Sequence, residues 1–250
     1  MEAGMLESPH SVLIAGASGG IAQAIGAEII RRYPQTRLLT LSRTSVDRIP
    51  GHAGEHHHLS VALDGPESVD AVGSFLAEQP SPPHWIISCC GILHDEFQRP
   101  EKSLSQCEDR WLLQSMRVNV LSHLHLAQAV DGILPRRSSL LWASLSAKVG
   151  SIADNQLGGW YSYRASKAAL NMLIKNLSIE WARKLEESCV VAIHPGTTDT
   201  SLSKPFQANV PPDKLYSPAV SANRIVNILG QLVASDSGKF LSWDGSEIPW

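Results

Sequence analysis

The fold of this chain is decided by one stretch, Ser11-Val12-Leu13-Ile14-Ala15-Gly16-Ala17-Ser18-Gly19-Gly20-Ile21-Ala22. Its first five residues predict a buried strand, and the next apolar residues recur at helical spacing. These apolar residues are Ile21, Ala24, Ile25, Ile29 and Ile30. A strand that passes through a glycine turn into a helix leaves backbone N–H groups free at the positive end of the helix dipole. The stretch therefore predicts a site for a phosphate-bearing ligand.

The glycines of this turn have separate tasks. Gly16 and Gly20 let the backbone turn and come close to a ligand, and Ala22 is small enough for the helix to pack on the sheet. The candidate binding residues are Gly16, Ser18, Gly19, Gly20 and Ile21. A tight strand-to-helix turn also needs glycine when no ligand binds, but the flanking strand and helix favour binding.

Strands and helices alternate along the rest of the chain. Strands are predicted near residues 11–15, 38–42, 59–63, 85–89, 139–144, 189–194 and 239–242. Helices are predicted near residues 20–32, 66–78, 108–130, 161–185 and 219–234. This order predicts an α/β fold: one Rossmann-type, doubly wound domain over residues 1–250, with about seven mostly parallel strands and helices on both faces. Ligands of such sheets bind beyond the carboxyl ends of the strands.

Tyr163 and Lys167 lie in the run Trp160-Tyr161-Ser162-Tyr163-Arg164-Ala165-Ser166-Lys167-Ala168-Ala169. They are four residues apart on a predicted helix, so a phenol and an ammonium share one face. A neighbouring ammonium favours phenolate and should lower the pKa of the tyrosine. Such a tyrosine can exchange protons near neutral pH. Tyr161 is a weaker alternative because Ala165 stands where its lysine would be.

Together these segments resemble the short-chain dehydrogenase/reductase family over nearly the whole chain. That family shares a Gly-x-x-x-Gly-x-Gly turn, an Asn-Asn-Ala-Gly strand end, a helix Asn, a Ser and a Tyr-x-x-x-Lys pair. The segments 158–167 and 243–250 are similar, more narrowly, to the C-factor and sniffer-type carbonyl reductase branch. The fourth strand departs from the pattern, with Ser88-Cys89-Cys90-Gly91 in place of Asn-Asn-Ala-Gly.

The resemblance implies four catalytic residues, Asn119, Ser146, Tyr163 and Lys167. Tyr163 would donate a proton to a carbonyl oxygen while the carbon receives hydride, and Ser146 would hold that oxygen. Lys167 would bind the nicotinamide ribose, and Asn119, predicted in mid-helix, would support a water chain to the lysine. Ser144 is the alternative to Ser146; a longer loop before the Gly-Gly-Trp segment favours Ser146 and leaves Ser144 to brace the strand end.

Cofactor choice depends on the second predicted strand, which ends in Ser42-Arg43. An acidic residue there would repel a 2′-phosphate, whereas the planar cation of Arg43 suits one. The sequence therefore predicts NADP(H), with NAD(H) as the alternative if Arg43 is a solvated loop residue. The resemblance implies further cofactor contacts from Leu63, Asp64, Cys90, Gly91, Pro195, Gly196, Thr198 and Thr200. Asp64 has an alternative role as a helix cap.

Composition and charge exclude several classes of function. A chain of 250 residues with 43% hydrophobic content supports one sizeable core, and a net charge of −3 with dispersed basic residues gives no footprint for nucleic acid. No apolar run approaches the roughly 20 residues that span a bilayer, and Met1 to His10 has no signal-peptide pattern. We expect a cytoplasmic protein that does not bind membranes.

The cysteine and histidine spacings predict no metal site. Cys89, Cys90, Cys107 and Cys189 lack metal-site spacing and are expected to be reduced thiols. His56, His57 and His58 are expected in a polar loop that enters a strand, where three successive side chains cannot converge. His123 and His125 are two apart on a predicted helix and do not share a face.

The segment from Ser201 to Ser217 predicts a loop that covers the substrate, with Phe206, Leu215 and Tyr216 as an apolar wall; a disordered insertion would look similar. The ending Ile248-Pro249-Trp250 packs either over the site or against a neighbour.

The sequence favours an NADP(H)-dependent reductase of small carbonyl or alcohol substrates. The alternative is a cofactor-binding signalling protein with little catalysis. The resemblance also implies a homodimer or homotetramer through the helices that carry Asn119 and Tyr163.

Overall fold

The computed structural model describes residues 9–136, 138–185 and 187–250. The predicted absence of a signal peptide in Met1 to His10 falls mainly on residues 1–8, which lie outside this description.

A seven-stranded parallel sheet forms the centre of the molecule. The strands, in chain order, are β1 Ser11–Ala15, β2 Arg37–Ser42, β3 His56–Ser60, β4 Trp85–Ser88, β5 Ser139–Leu145, β6 Glu187–His194, β7 Thr197–Thr198, β8 Leu215–Tyr216 and β9 Phe240–Ser242. The sheet order is β3-β2-β1-β4-β5-β6-β9, and β7 pairs with β8 in a separate two-stranded sheet. The α/β fold with a doubly wound parallel sheet is confirmed.

In the described part of the chain, six α-helices connect the strands. They are α1 Gly20–Arg32, α2 Ser68–Ala77, α3 Asp109–Met116, α4 Ser122–Asp131, α5 Tyr161–Lys184 and α6 Pro218–Leu229. The predicted helix over 108–130 is interrupted by a π-helical turn, Arg117–Leu121, between α3 and α4. The helix predicted over 219–234 ends earlier, because Gly230 follows α6 as its C-cap.

Successive residues of each central strand face two different cores. In β1, Val12 and Ile14 pack with α1 and α6, whereas Leu13 and Ala15 pack with α2, α4 and α5. This explains why the strands are apolar throughout rather than alternating, since both faces are covered by helices. Burial of these side chains is the main stabilising contribution to the fold.

The third strand differs from its predicted position. It spans His56–Ser60 and pairs in parallel with Leu38–Ser42, so the three histidines lie within the strand and not in a loop before it. An edge strand tolerates polar residues, and Thr40 Oγ1 hydrogen-bonds both His56 Nε2 (2.9 Å) and His58 Nδ1 (3.0 Å). His57 points to the other face, as expected from the pleat.

The C-terminal segment packs on the protein itself. Ile248 is buried and its N–H donates to Phe240 O at 2.7 Å. The Trp250 ring stacks on Phe240 at 5.4 Å between centroids. Ser151 Oγ donates to Pro249 O, and Ala153 N donates to Trp250 O at 3.2 Å. The ending therefore fixes the loop that follows β5.

In the described part of the chain, none of the helices is both long and apolar enough to cross a bilayer.

Candidate active site

A cavity of about 410 Å³ lies at the carboxyl ends of β1 and β4. The strand order reverses between these two strands, which is where open α/β sheets bind their ligands. Its lining includes most of the predicted cofactor residues: Gly16, Ser18, Gly19, Gly20, Ile21, Ser42, Arg43, Leu63, Asp64, Cys90, Gly91 and Thr200.

The glycine turn has the shape that a dinucleotide needs. Gly16 has φ +73°, and a Cβ there would lie 3.1 Å from backbone atoms of Cys89 and Cys90. A Cβ on Gly20 would lie 3.2 Å from Thr200 Cγ2. The first turn of α1 has no acidic residue, and its N-cap, Gly19, has no side chain that could cap the free N–H groups. The helix start is thus open to an anion, and the residues fit a pyrophosphate.

Arg43 and Asp64 line the same cavity at its adenosine end. Arg43 is exposed, and among the described residues no carboxylate lies within 4 Å of its guanidinium. Asp64 lies 3.9 Å from Arg117 Nε and does not cap α2, whose N-cap is Glu67. The alternative role of Asp64 as a helix cap is therefore wrong.

A second cavity of about 510 Å³ adjoins the first, with Ile21, Thr200 and Leu202 common to both. Ser146 and Tyr163 both line it, although one follows β5 and the other lies on α5. It also has an apolar wall from Leu93, Trp160 and Phe206. The two cavities together form a continuous cleft that can hold a dinucleotide and a substrate.

Ser144 and Ser146 have different surroundings. Ser146 Oγ donates to Asn171 Oδ1 at 2.6 Å and borders the second cavity. Ser144 is fully buried, where it accepts a hydrogen bond from Trp142 Nε1 (2.9 Å) and bonds His123 Nδ1 (3.0 Å). The structure thus brings Ser146 to the cleft and leaves Ser144 as a brace.

Tyr163 and Lys167 are both buried on the first turns of α5. Burial raises the pKa of Tyr163 rather than lowering it, so the expectation of a lowered pKa is wrong for this arrangement. Lys167 does not offset the effect of burial on the Tyr163 pKa. Its Nζ donates to Leu145 O at 2.9 Å and lies 5.9 Å from the Tyr163 ring centroid. Burial also lowers the pKa of Lys167 to about 8. Tyr161, by contrast, is 43% exposed on the outside of the helix.

Asn119 lies in the π-helical turn and not in a regular helix. Its Oδ1 accepts from Ile92 N at 2.6 Å, and its Nδ2 donates to Ile92 O and to Ser166 Oγ. A Cβ on Gly91 would lie 3.3 Å from Asn119 Oδ1 and 3.5 Å from Lys167 Nζ. Asn119 therefore joins the loop after β4 to the helix that carries Lys167. π turns of this kind often occur at functional sites.

The segment after β6 closes the cleft from the other side. Its predicted residues Pro195, Gly196, Thr198 and Thr200 all line the second cavity. The following loop contains two 3₁₀ helices, Lys204–Asn209 and Pro212–Lys214, and Phe206 reaches the cavity. Leu215 and Tyr216 do not form its wall, because they lie in β8 and the Tyr216 ring packs 5.3 Å from Trp243.

The sequence interpretation missed three residues that support the site. Asn171 holds Ser146, and a mid-helix Asn four residues after Lys167 was the available signal. His123 bridges Ser144 and Cys90 O, and burial lowers its pKa to about 3, so it is neutral. Glu101, a buried carboxylate, bonds Ser162 at the start of α5. Nothing in the local sequence pattern marks Glu101 or His123 as part of the site.

Within residues 9–136, 138–185 and 187–250, no group of three or more His, Cys, Asp and Glu side chains is arranged to hold a metal ion. The four cysteines are free thiols. The described site consists of two adjoining cavities, one at the glycine turn and one lined by Ser146 and Tyr163.

Comparison with known protein sequences finds one matching family model and several related proteins. The family model described as short chain dehydrogenase matches residues 10–211. The 1-hydroxy-2-glutathionyl-2-methyl-3-butene dehydrogenase of Rhodococcus sp. (strain AD45) is 27% identical over 242 residues, which are 96% of this chain and 99% of that protein. C-signal of Myxococcus xanthus is 30% identical over 139 residues, 56% of this chain and 78% of C-signal.

Solved structures share the fold over almost the whole chain. Carbonyl reductase Sniffer of D. melanogaster superposes with a TM-score of 0.78 at 22% identity, covering 96% of this chain and 99% of Sniffer. A short-chain dehydrogenase/reductase from Burkholderia multivorans with bound NADP superposes with a TM-score of 0.74 at 25% identity, covering 97% and 100% of the two chains.

Proposed function

The chain belongs to the short-chain dehydrogenase family, and we propose that it is an oxidoreductase of the carbonyl reductase branch, which interconverts a carbonyl compound and a secondary alcohol with NADP(H). The observation that carries the proposal is the convergence of Ser146 and Tyr163 on a cavity that adjoins the glycine-turn cleft. A protein that only sensed a nucleotide would need the glycine-turn cleft alone.

The residues of the chain divide the work of the reaction. Gly16 to Ile21 would hold the pyrophosphate, and Lys167 and Thr200 the nicotinamide half. When bound, the nicotinamide supplies or accepts the hydride. To hold the substrate oxygen, Ser146 would turn its one hydroxyl proton from Asn171 Oδ1 to that oxygen and so fix its position. Tyr163 donates a proton to that oxygen in reduction and removes it in oxidation.

The environment of Tyr163 keeps its phenol in the protonated form. Burial raises the pKa of its phenol, so at neutral pH the side chain keeps its proton. A protonated phenol is the form that can donate to a carbonyl oxygen, whereas oxidation of an alcohol needs the phenolate.

Arg43 supports the choice of NADP(H). Its guanidinium lines the adenosine end of the cleft without a carboxylate partner among the described residues, so it is available for a 2′-phosphate. The similar Burkholderia multivorans structure contains NADP. NAD(H) remains the alternative cofactor, and it requires Arg43 to make no contact with the ribose.

A cofactor-binding signalling protein is the second candidate function. The observation that favours it is the similarity to C-signal, which covers about half of this chain. This candidate differs from the reductase in needing no turnover, so it predicts that the wild-type protein binds the cofactor and reduces no carbonyl compound.

Exposed apolar side chains on α3 and α5 support the proposal of a homo-oligomer. Leu113 on α3 is 68% exposed, and Met172 and Ile179 on α5 are 62% and 44% exposed. Isolated apolar residues are ordinary on surfaces, but these lie on the two helices that flank the site. We propose that this face meets a second copy of the chain.

Cofactor binding and turnover test the proposed function together. NADPH and NADH are titrated by nicotinamide fluorescence into wild type and Arg43→Ala, and a panel of benzaldehyde, hexanal, cyclohexanone and butane-2,3-dione is then assayed with Tyr163→Phe as control. We expect Arg43→Ala to weaken NADPH binding about tenfold or more, with little change for NADH, since a charged hydrogen bond contributes about 1.5–3 kcal/mol. Tyr163→Phe should bind NADPH normally and lose turnover. Binding without turnover in wild type would favour the signalling candidate.

A further inference from the structure

The backbone that leads into α5 has an unusual conformation. Gly158, Gly159 and Trp160 have φ of +63°, +63° and +50° in succession. Among the described residues, Trp160 is the sole non-glycine residue with positive φ. Residues with a side chain disfavour this conformation and hold it where surrounding contacts impose it. The turn is therefore held by its neighbours.

Two residues, Glu101 and Arg164, hold this turn and the start of the helix. The Glu101 backbone oxygen accepts from Trp160 N at 2.5 Å, and the carboxylate of the same residue accepts from Ser162 N at 3.3 Å and from Ser162 Oγ. Arg164 Nε donates to Gly158 O at 3.1 Å and to Gly159 O at 3.0 Å. Glu101 and Arg164 thus fix both the turn and the first residues of the helix.

Glu101 is a costly residue to bury. It is 1% exposed and lines neither cavity of the cleft. A buried carboxylate is tolerated when N–H and O–H donors and a helix N-terminus compensate for lost hydration. Both conditions are met at Ser162, the second residue of α5. An apolar residue would fill the space without this cost, so the carboxylate contributes what an apolar residue cannot: two fixed hydrogen bonds.

The residue that follows Ser162 is Tyr163. The Trp160 ring also contacts the Tyr163 ring edge-to-face at 6.2 Å, and it lies 5.5 Å from the Phe206 ring across the substrate cavity. Any shift at the start of α5 therefore moves the phenol and the wall beside it together.

We propose that Glu101 is the positioning residue of the Tyr163 phenol, acting through its bonds to Ser162 and through the left-handed Trp160 turn. The inference rests on the proposed role of Tyr163 as proton donor. Glu101 does not touch the substrate; it sets the place of the group that does. Displacements of about 1 Å at a reacting group can lower a rate about 100-fold.

Removing the carboxylate should therefore lower kcat and leave NADPH binding unchanged. For Glu101→Ala we expect kcat with the best carbonyl of the panel to fall by about 10- to 100-fold, and the NADPH Kd to stay within about twofold, because the glycine-turn cleft is separate. Glu101→Gln keeps an acceptor for Ser162, so we expect it to restore kcat to within about threefold of wild type.

Asp131, the last residue of α4, provides a matched control because its carboxylate contacts the C-terminal end of α5. Its carboxylate accepts from Trp181 Nε1 at 2.9 Å and from Lys184 Nζ at 3.0 Å. Asp131→Ala should lower the thermal midpoint and leave kcat unchanged, since it loosens α5 far from Tyr163. Equal losses of kcat in Asp131→Ala and Glu101→Ala would overturn the positioning role and leave a purely structural one.

Amide exchange measured by mass spectrometry supplies a readout that needs no turnover. Deuterium uptake of the peptide spanning residues 158–166 should rise in Glu101→Ala and stay at the wild-type level in Asp131→Ala. If wild type binds no cofactor and reduces no carbonyl, the proposed function fails, and unchanged uptake would separately overturn the role of Glu101.

If Glu101→Ala does not fold, Ser162→Ala replaces it. We expect Ser162→Ala to lower kcat about tenfold, and full retention of kcat in this variant contradicts the inference.

Discussion

Ser144 and Ser146 lie two positions apart, but the hydroxyl group of one is enclosed in the core and that of the other borders a cavity. Ser144 Oγ is enclosed between Trp142 and His123, whereas Ser146 Oγ borders the substrate cavity and is held by Asn171. The sequence named both serines and favoured Ser146 through the length of the following loop. It could not identify Asn171 or His123 as their partners, because those contacts join positions about twenty residues or more apart.

Replacing each serine by alanine should separate the two roles. Ser146→Ala removes the hydrogen bond to the substrate oxygen and should lower kcat by about 100-fold or more; it also leaves Asn171 Oδ1 without its donor, so some stability is lost as well. Ser144→Ala leaves Trp142 Nε1 and His123 Nδ1 without a partner and should lower the free energy of unfolding by about 1–3 kcal/mol. Turnover and urea unfolding of both variants check the assignment. A loss of kcat in Ser144→Ala alone would reverse it.

At the scale of elements, periodicity predicted the central strands and α1 well, since buried strands and amphipathic helices repeat their apolar residues regularly. It failed where tertiary contacts decide the structure. His56–Ser60 forms an edge strand because Thr40 supplies partners to its histidines. The π turn Arg117–Leu121 leaves no mark in the apolar pattern, although it sets the position of Asn119.

His123 of α4 should make the packing of α4 against β4 and β5 sensitive to acid. His123 is fully buried, and its pKa is about 3 in the folded protein, against about 6.5 when unfolded. Between these values the unfolded chain binds more protons, so stability is full above about pH 6.5 and falls as the pH falls towards 3. The loss amounts to at most about 1.4 kcal/mol per pH unit from this residue.

Urea unfolding at pH 7.5, 6 and 5 tests this linkage in wild type and His123→Gln. The variant should be less stable at pH 7.5, since it loses the fitted hydrogen bonds, and its stability should decline less steeply below pH 6.5. His194, whose pKa burial lowers to about 4, adds a decline of its own to both proteins. The same slope in both proteins would contradict the assignment of acid sensitivity to His123.

At the scale of the whole molecule, the order of alternating strands and helices was sufficient to predict the parallel sheet and the location of the cleft. The assembly of the molecule is a different matter, because one chain carries no direct record of its contacts with a second copy. The proposed oligomer and the cytoplasmic location stay predictions. The apolar side chains on α3 and α5 indicate which face to test.

A charge on this face should prevent association. Leu113→Glu combined with Met172→Glu places two carboxylates where an interface would exclude water, so we expect a monomer by sedimentation velocity if wild type is a dimer or tetramer. Val220→Glu is the matched control, because Val220 is 42% exposed on α6, away from both helices. Association that persists in the double variant, or that is lost in Val220→Glu, would place the interface elsewhere.

Cys107 gives the protein a natural attachment point for a fluorescent dye. It is the exposed member of the four thiols; Cys189 is buried, and Cys89 and Cys90 lie within the floor of the nucleotide cleft. A maleimide should therefore label Cys107, two residues before α3 begins, faster than the half-buried Cys89 and Cys90, without engineered cysteines. Energy transfer between donor- and acceptor-labelled chains would then follow subunit exchange on the unmodified sequence.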